Sequence, residues 1–148
     1  MPRTSRQATL AAPPEQVFRL ISDPDHLARW WPGVNRVEAV VDDRFTLVMP
    51  TRKGRPMRVD FRTLTSEPPH RHAWAQEVVG TPFERVLAEH VTTIELHGHA
   101  DHTHVTIEAR QRLRGYALLG SWMLRRVNRA RLESALASLV QIFGDGSH

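Results

Sequence analysis

The sequence predicts an α+β fold, one antiparallel sheet combined with one long C-terminal helix. Two observations carry this. Apolar residues follow a helical period in two short stretches before Gly33, alternate one-in-two for about eighty residues after it, and return to a helical period from Tyr116 to Phe143. The alternating region is also cut at short intervals by turn residues, which suits strands joined as hairpins. A chain of 148 residues, 41% hydrophobic and 24% charged, can bury a single core without staples. No repeat or low-complexity linker divides it, so one domain over residues 1–148 is expected.

The first element is a strand in "RQATLAAP", where Ala8 and Leu10 alternate with Gln7 and Thr9. In "PPEQVFRLISDP", Pro13 and Pro14 suit a helix start, Val17, Phe18 and Ile21 share a face, and Asp23-Pro24 ends it. A second short helix in "DHLARWWPG" is stopped by Pro32-Gly33. Turn signals at Asp42-Asp43, Arg52–Pro56, Glu67–His70 and Val79–Pro82, together with the stretch "LHGHADHTHV", then mark out about six strands. The final helix, free of proline, has Gly144 as its cap.

Parity separates inward from outward residues on these strands. Phe45, Leu47 and Met49 share one face, as do Met57, Val59 and Phe61, and His72, Trp74, Gln76 and Val78. Ile94 and Leu96 point inward, with Val105, Ile107, Ala109 and Leu113 on the next strand; continuing the count places His90, Thr92 and Gln111 inward, provided no bulge shifts the register. On the long helix, Leu132, Leu136, Leu139, Val140 and Phe143 form one stripe. "YALLGSWML" before it is apolar around nearly the whole circumference, as in a helix that fills the core or meets a cavity, a partner or a lipid. Arg125, Arg126, Arg129 and Arg131 follow and read as a solvated face; an apolar turn beside a basic one also suits transient contact with an anionic membrane.

Composition narrows the chemistry. With no cysteine there is no disulfide, thiolate metal site or thiol nucleophile. The net charge of +4 is spread along the chain, too thinly for a nucleic-acid footprint, so no nucleic-acid partner is expected. No apolar run can span a bilayer and "MPRTSRQATL" lacks a signal-peptide core, which makes a cytoplasmic location the expectation. No P-loop, dinucleotide fingerprint, HExxH pair or serine elbow is present; "LGSWM" lacks the second glycine of the last.

"APPEQVFRLISDPDHLARWWPGV", the long meander and the ending "RARLESALASLVQIFG" together resemble the START-like, or SRPBCC, superfamily, in particular its polyketide cyclase/dehydrase and lipid-transport group. The resemblance covers nearly the whole chain. It implies the helix-grip fold, a curved antiparallel sheet of about seven strands wrapped around a long C-terminal helix, with an apolar cavity between them. It does not imply one reaction, since members carry lipids, bind hormones, cyclise polyketides or regulate other proteins.

On that fold the candidate pocket-lining residues are Trp31, Phe61, Trp74, Gln76, His90, Thr92, Gln111, Leu119, Trp122 and Met123. The expected partner is a hydrophobic small molecule such as a lipid, isoprenoid or aromatic polyketide, held by a monomer or homodimer that needs no cofactor. Alternatively the protein is a polyketide cyclase, aromatase or dehydratase with His90 as proton carrier, although no carboxylate is placed by sequence to orient that ring and Glu84 lies six residues away. A third class is a regulatory or toxin-antitoxin interaction module using the "YALLGSWML" face.

His97, His99, His102 and His104 invite a metal site. A turn centred between Ala100 and Asp101 would pair His97 with His104 and His99 with His102, all on the outward face. Ala-Asp is not a favoured two-residue turn, so a looser loop is expected, and a functional metal is not.

Overall fold

The computed structural model describes residues 3–51, 53–85, 87–115 and 121–147. Its strands are β1 (Arg3–Leu10), β2 (Arg36–Val41), β3 (Arg44–Met49), β4 (Met57–Glu67), β5 (Arg71–Gln76), β6 (Leu87–His99) and β7 (His102–Leu113). Its helices are α1 (Pro14–Ile21), α2 (Leu27–Trp30) and α3 (Ser121–Phe143), and short 3-10 turns occupy Pro24–His26 and Pro82–Arg85. All seven strands form one antiparallel sheet in the order β1-β7-β6-β5-β4-β3-β2. Only β1 departs from chain order. The two helices after it carry the chain from one edge of the sheet to the other.

Local sequence explains the two early helices. Pro13 flanks α1 and Pro14 occupies its first turn, where a missing N–H costs nothing, and Val17, Phe18, Leu20 and Ile21 are buried. Asp23 then accepts a hydrogen bond from the Asp25 N–H at 3.0 Å and opens the 3-10 turn. α2 buries Leu27 and Trp30 and gives way to Gly33, which adopts a φ of 76°.

The core lies between one face of the sheet and the helices. Phe45, Leu47, Val59, Phe61, Trp74, Ile94, Leu96, Val105 and Ile107 supply the sheet side, and Leu132, Ala135, Leu136 and Leu139 of α3 face them. α3 also runs along β1, where Arg6 Nε and Glu133 Oε1 pair at 3.2 Å. Beyond Phe143, Gly144 takes a φ of 94° and the chain turns back onto β1: the Ala11 N–H donates to Gly144 O at 2.9 Å and the Gly146 N–H to Thr9 O at 3.0 Å. Tyr116 to Gly120, expected to begin the last helix, lie outside the described residues.

Three bulges shape the sheet: in β2 between Glu38 and Val41, in β4 between Thr63 and Thr65, and in β6 between Leu87 and Glu89. The last falls before His90, so the one-in-two count survives from Leu96 back to His90. His90 is opposite Gln111, Thr92 opposite Ala109 and Ile94 opposite Ile107. At the other end of the same hairpin His97 is opposite His104 and His99 opposite His102, as the turn position predicts. The turn itself is tight and not loose. Ala100 accommodates it at a φ of 55°, an uncommon conformation that the long, continuous β6–β7 pairing imposes on a residue other than glycine.

Candidate ligand cavity

A cavity of about 130 Å³ lies on the core side of the sheet, against α3. Phe61 of β4, Trp74 and Gln76 of β5, and His90 and Thr92 of β6 line it beside Trp31, the residue that follows α2. Met49, Met57, Val59, Phe83 and Arg131 complete the wall. The sheet pairing brings these groups together: Phe61 is opposite Gln76, and Trp74 is opposite Thr92. Larger depressions of about 420 and 280 Å³ include charged residues in their walls, Arg71 and Glu95 in the first and Arg44 and Glu77 in the second. The wall of the inner cavity is continuous with the core through Trp31, Val59, Phe61 and Trp74.

Its aromatic wall is closely packed. Trp31 and Trp74 meet edge to face with ring centres 5.3 Å apart, Trp30 stands 5.4 Å from Trp31 and 6.3 Å from Trp74, and Phe61 stacks on Phe45 at 5.5 Å. Such contacts hold each ring in one orientation and present flat apolar surface to a ligand. Below Trp74 lies His72, buried among Phe18 and Trp74, with its Nδ1 3.3 Å from Ser66 Oγ. Burial alone pushes the His72 imidazole down to about 4.

His90 is held low by a different neighbourhood. Loss of solvent is the main cause and the positive charge of Arg131 adds to it, taking the ring to about 4. No carboxylate and no hydrogen-bond partner reaches the His90 ring among the described residues. Glu84 instead accepts from the Gly80 N–H at 2.7 Å, and Glu89 pairs with Arg110. His90 is therefore a neutral, unoriented imidazole at neutral pH.

Arg131 is not on the solvated face where its arginine neighbours suggested it would be. Arg125, Arg126 and Arg129 are exposed, but Arg131 lines the cavity and burial lowers its guanidinium from the usual arginine range. The signal is helical phase: Arg131 stands three residues after buried Asn128 and four before buried Ala135, on the core stripe of α3.

The same phase displaces two other expected residues. Trp122 and Met123 are 61% and 56% exposed and do not line the cavity. From the first turn of α3 it is Leu124, in step with Asn128, that packs inward against Val78, Leu87 and Leu113. Leu119 lies outside the described residues. Gln111 is buried as its parity requires, but its Oε1 accepts a hydrogen bond from Asn128 Nδ2 at 2.7 Å, so it ties β7 to α3 and does not border the cavity.

The histidine hairpin forms no ligand cage: among the described residues no three His, Asp or Glu side chains are grouped as metal ligands. The ring of His104 turns toward β1, with Nε2 donating to Gln7 Oε1 at 2.6 Å and Nδ1 accepting from Thr9 Oγ1 at 3.2 Å. His97 and His99 are exposed. A His97→Ala/His104→Ala variant is therefore expected to bind zinc as weakly as the unaltered protein in a calorimetric titration; a clear loss of a stoichiometric site would reverse this reading.

The comparisons with known proteins agree with the architecture. Residues 1–144 match the family described as polyketide cyclase/dehydrase and lipid transport. No curated protein matches the sequence. Among solved structures, XoxI from Bacillus cereus is 16% identical with a TM-score of 0.77, over 100% of this chain and 99% of that one. A START superfamily protein from Mycobacterium smegmatis is 11% identical with a TM-score of 0.77, over 95% and 96% of the two chains. The di-domain ARO/CYC protein BexL, of the BE-7585A biosynthetic pathway, is 26% identical with a TM-score of 0.74; 94% of this chain aligns with 45% of it. Sheet order, the long closing helix and a family match across nearly every residue converge: the chain belongs to the polyketide cyclase/dehydrase and lipid-transport family and has its START-like, helix-grip fold.

Proposed function

We propose that the protein binds a hydrophobic small molecule in the cavity between the sheet and α3, the pocket lined by Trp31, Phe61, Trp74, Gln76, His90 and Thr92. The observation that supports this most is the wall itself, flat indole and phenyl surface with a few polar groups, which is how small-molecule sites are usually built. The volume of about 130 Å³ suits roughly one aromatic ring or a short acyl segment, since a cavity of about 150 Å³ in another protein holds benzene. Larger members of the proposed ligand class, such as a long-chain lipid or multi-ring polyketide, would require the cavity to widen.

The family also contains cyclases, and His90 borders the cavity as a proton carrier would. Its surroundings favour binding over catalysis. A general base works best with a pKa near the working pH and a partner that orients it, whereas His90 is held at about 4 with neither. Saturable quenching of tryptophan fluorescence by small aromatic ligands, or displacement of an apolar dye, is the expected result, with His90→Ala retaining binding within about tenfold. Failure of every aromatic and acyl probe to bind would remove the proposal. Turnover of a poly-β-ketone that disappears in His90→Ala would favour the cyclase reading instead.

A further inference from the structure

Arg131 gives the cavity a chemical preference. It is the one permanently charged group among the lining residues, because the imidazole of His90 is neutral and the remaining groups are apolar or uncharged. Among the described residues no carboxylate lies within 4.0 Å of its guanidinium, although Arg3, Arg6, Arg36, Arg44, Arg58 and Arg110 each have one. Those six pairs lie on the protein surface or outer sheet face, where an arginine needs a counter-ion least. The arginine drawn toward the core has none, and a partly desolvated cation without a counter-charge is the more costly arrangement.

The other polar groups complement this. Gln76 can donate through its amide, Thr92 through its hydroxyl and neutral His90 through one ring nitrogen, so each can join Arg131 in donating to the same acceptor. No carboxylate stands on the wall, and its only obligate acceptors are the weak thioethers of Met49 and Met57. A carboxylate, with about four lone-pair positions, matches a guanidinium in the planar two-bond geometry that only arginine offers.

We propose that the ligand is an organic monoanion, a compact aromatic or short-chain carboxylic acid whose carboxylate is held by Arg131 while its apolar body lies against Trp31, Trp74 and Phe61. This rests on the proposed ligand-binding role of the cavity and narrows it from hydrophobic molecules in general to acids of about one ring.

The test uses a matched pair of probes, cinnamate and cinnamamide, which differ in charge and scarcely in shape, titrated into the full chain at neutral pH by tryptophan fluorescence. The acid should bind at least about tenfold more tightly than the amide, the scale of a charge-assisted contact. Arg131→Gln should reduce that preference to near one, and Arg131→Lys should restore part of it. Equal affinities in the unaltered protein, or binding of a neutral apolar dye without binding of the acid, would overturn the anion assignment and leave the cavity reading standing. A preference that persists in Arg131→Gln would overturn the role of Arg131. Binding of neither probe nor dye would overturn both.

Discussion

Trp74→Ala should lower stability by about 3–5 kcal/mol, the usual cost of removing a buried indole. Trp74 is 2% exposed, and its ring meets Trp30, Trp31 and His72, so the substitution removes one side of three contacts at once. The space released adjoins the existing cavity of about 130 Å³, and the neighbouring indoles cannot all move in because Trp30 is itself fully buried. For a domain of this size the change corresponds to a fall of roughly 10–15 °C in Tm. Trp74→Phe, which keeps an aromatic wall, should lose much less. Denaturant unfolding of both variants checks this, and a loss below about 1 kcal/mol in Trp74→Ala would mean that the indole cluster does not organise the core. The enlarged cavity should also bind two-ring ligands more tightly than the unaltered protein does.

Stability should also fall between pH 6.5 and about 4, with two histidines responsible. His72 and His90 both titrate near 4 in the folded chain and near 6.5 when unfolded. Above the unfolded value neither state carries the protons and the contribution of these groups is intact. As pH falls, the unfolded chain takes up protons that the folded one refuses, so folding becomes progressively less favourable until the folded rings titrate too. For His72, which is 3% exposed, the full shift corresponds to about 3 kcal/mol. His90 adds a loss of the same sign. His72→Gln retains a polar group near Ser66 and should flatten the stability profile across that window by one proton's worth; an unchanged slope would show that His72 is not the titrating group.

How far the sequence discloses this structure depends on which physical signal dominates locally. Strand parity carries the inner sheet face from Phe45 to Ile107, because half-buried strands have a rigid two-residue period and the β6 bulge falls outside the stretch that matters. Five of the expected lining residues, Phe61, Trp74, Gln76, His90 and Thr92, border one cavity for that reason, and Trp31, which follows α2, joins them from outside the sheet. The long helix is less legible. An apolar segment such as "YALLGSWML" has no distinct polar face from which to set its phase, so Trp122 and Met123 look as inward as Leu124. Gln111 is inward but occupied by Asn128, a pairing across 17 residues that no local pattern announces. Arg131 escapes notice in the opposite way, since its charge suggests solvent while its place between Asn128 and Ala135 gives the true direction. On the hairpin, cross-strand pairing was readable from the histidines, but the diversion of His104 toward Gln7 and Thr9 required knowing that β1 lies beside β7.

An open sheet has two margins, and each is a template on which another molecule's backbone could add a strand. Along β1 that margin is covered by α3 and by the chain returning through Gly144 to Gly146. Along β2 the 3-10 turn Pro24–His26 and α2 pack nearby, while Val41 at its far end is 63% exposed. The irregularity between Glu38 and Val41, with Ala39 at a φ of 51°, breaks the ladder after three pairs, and the charges of Arg36 and Glu38 stand beside it. Such an irregularity makes β2 a poorer template for a further strand than a straight, regular edge would be.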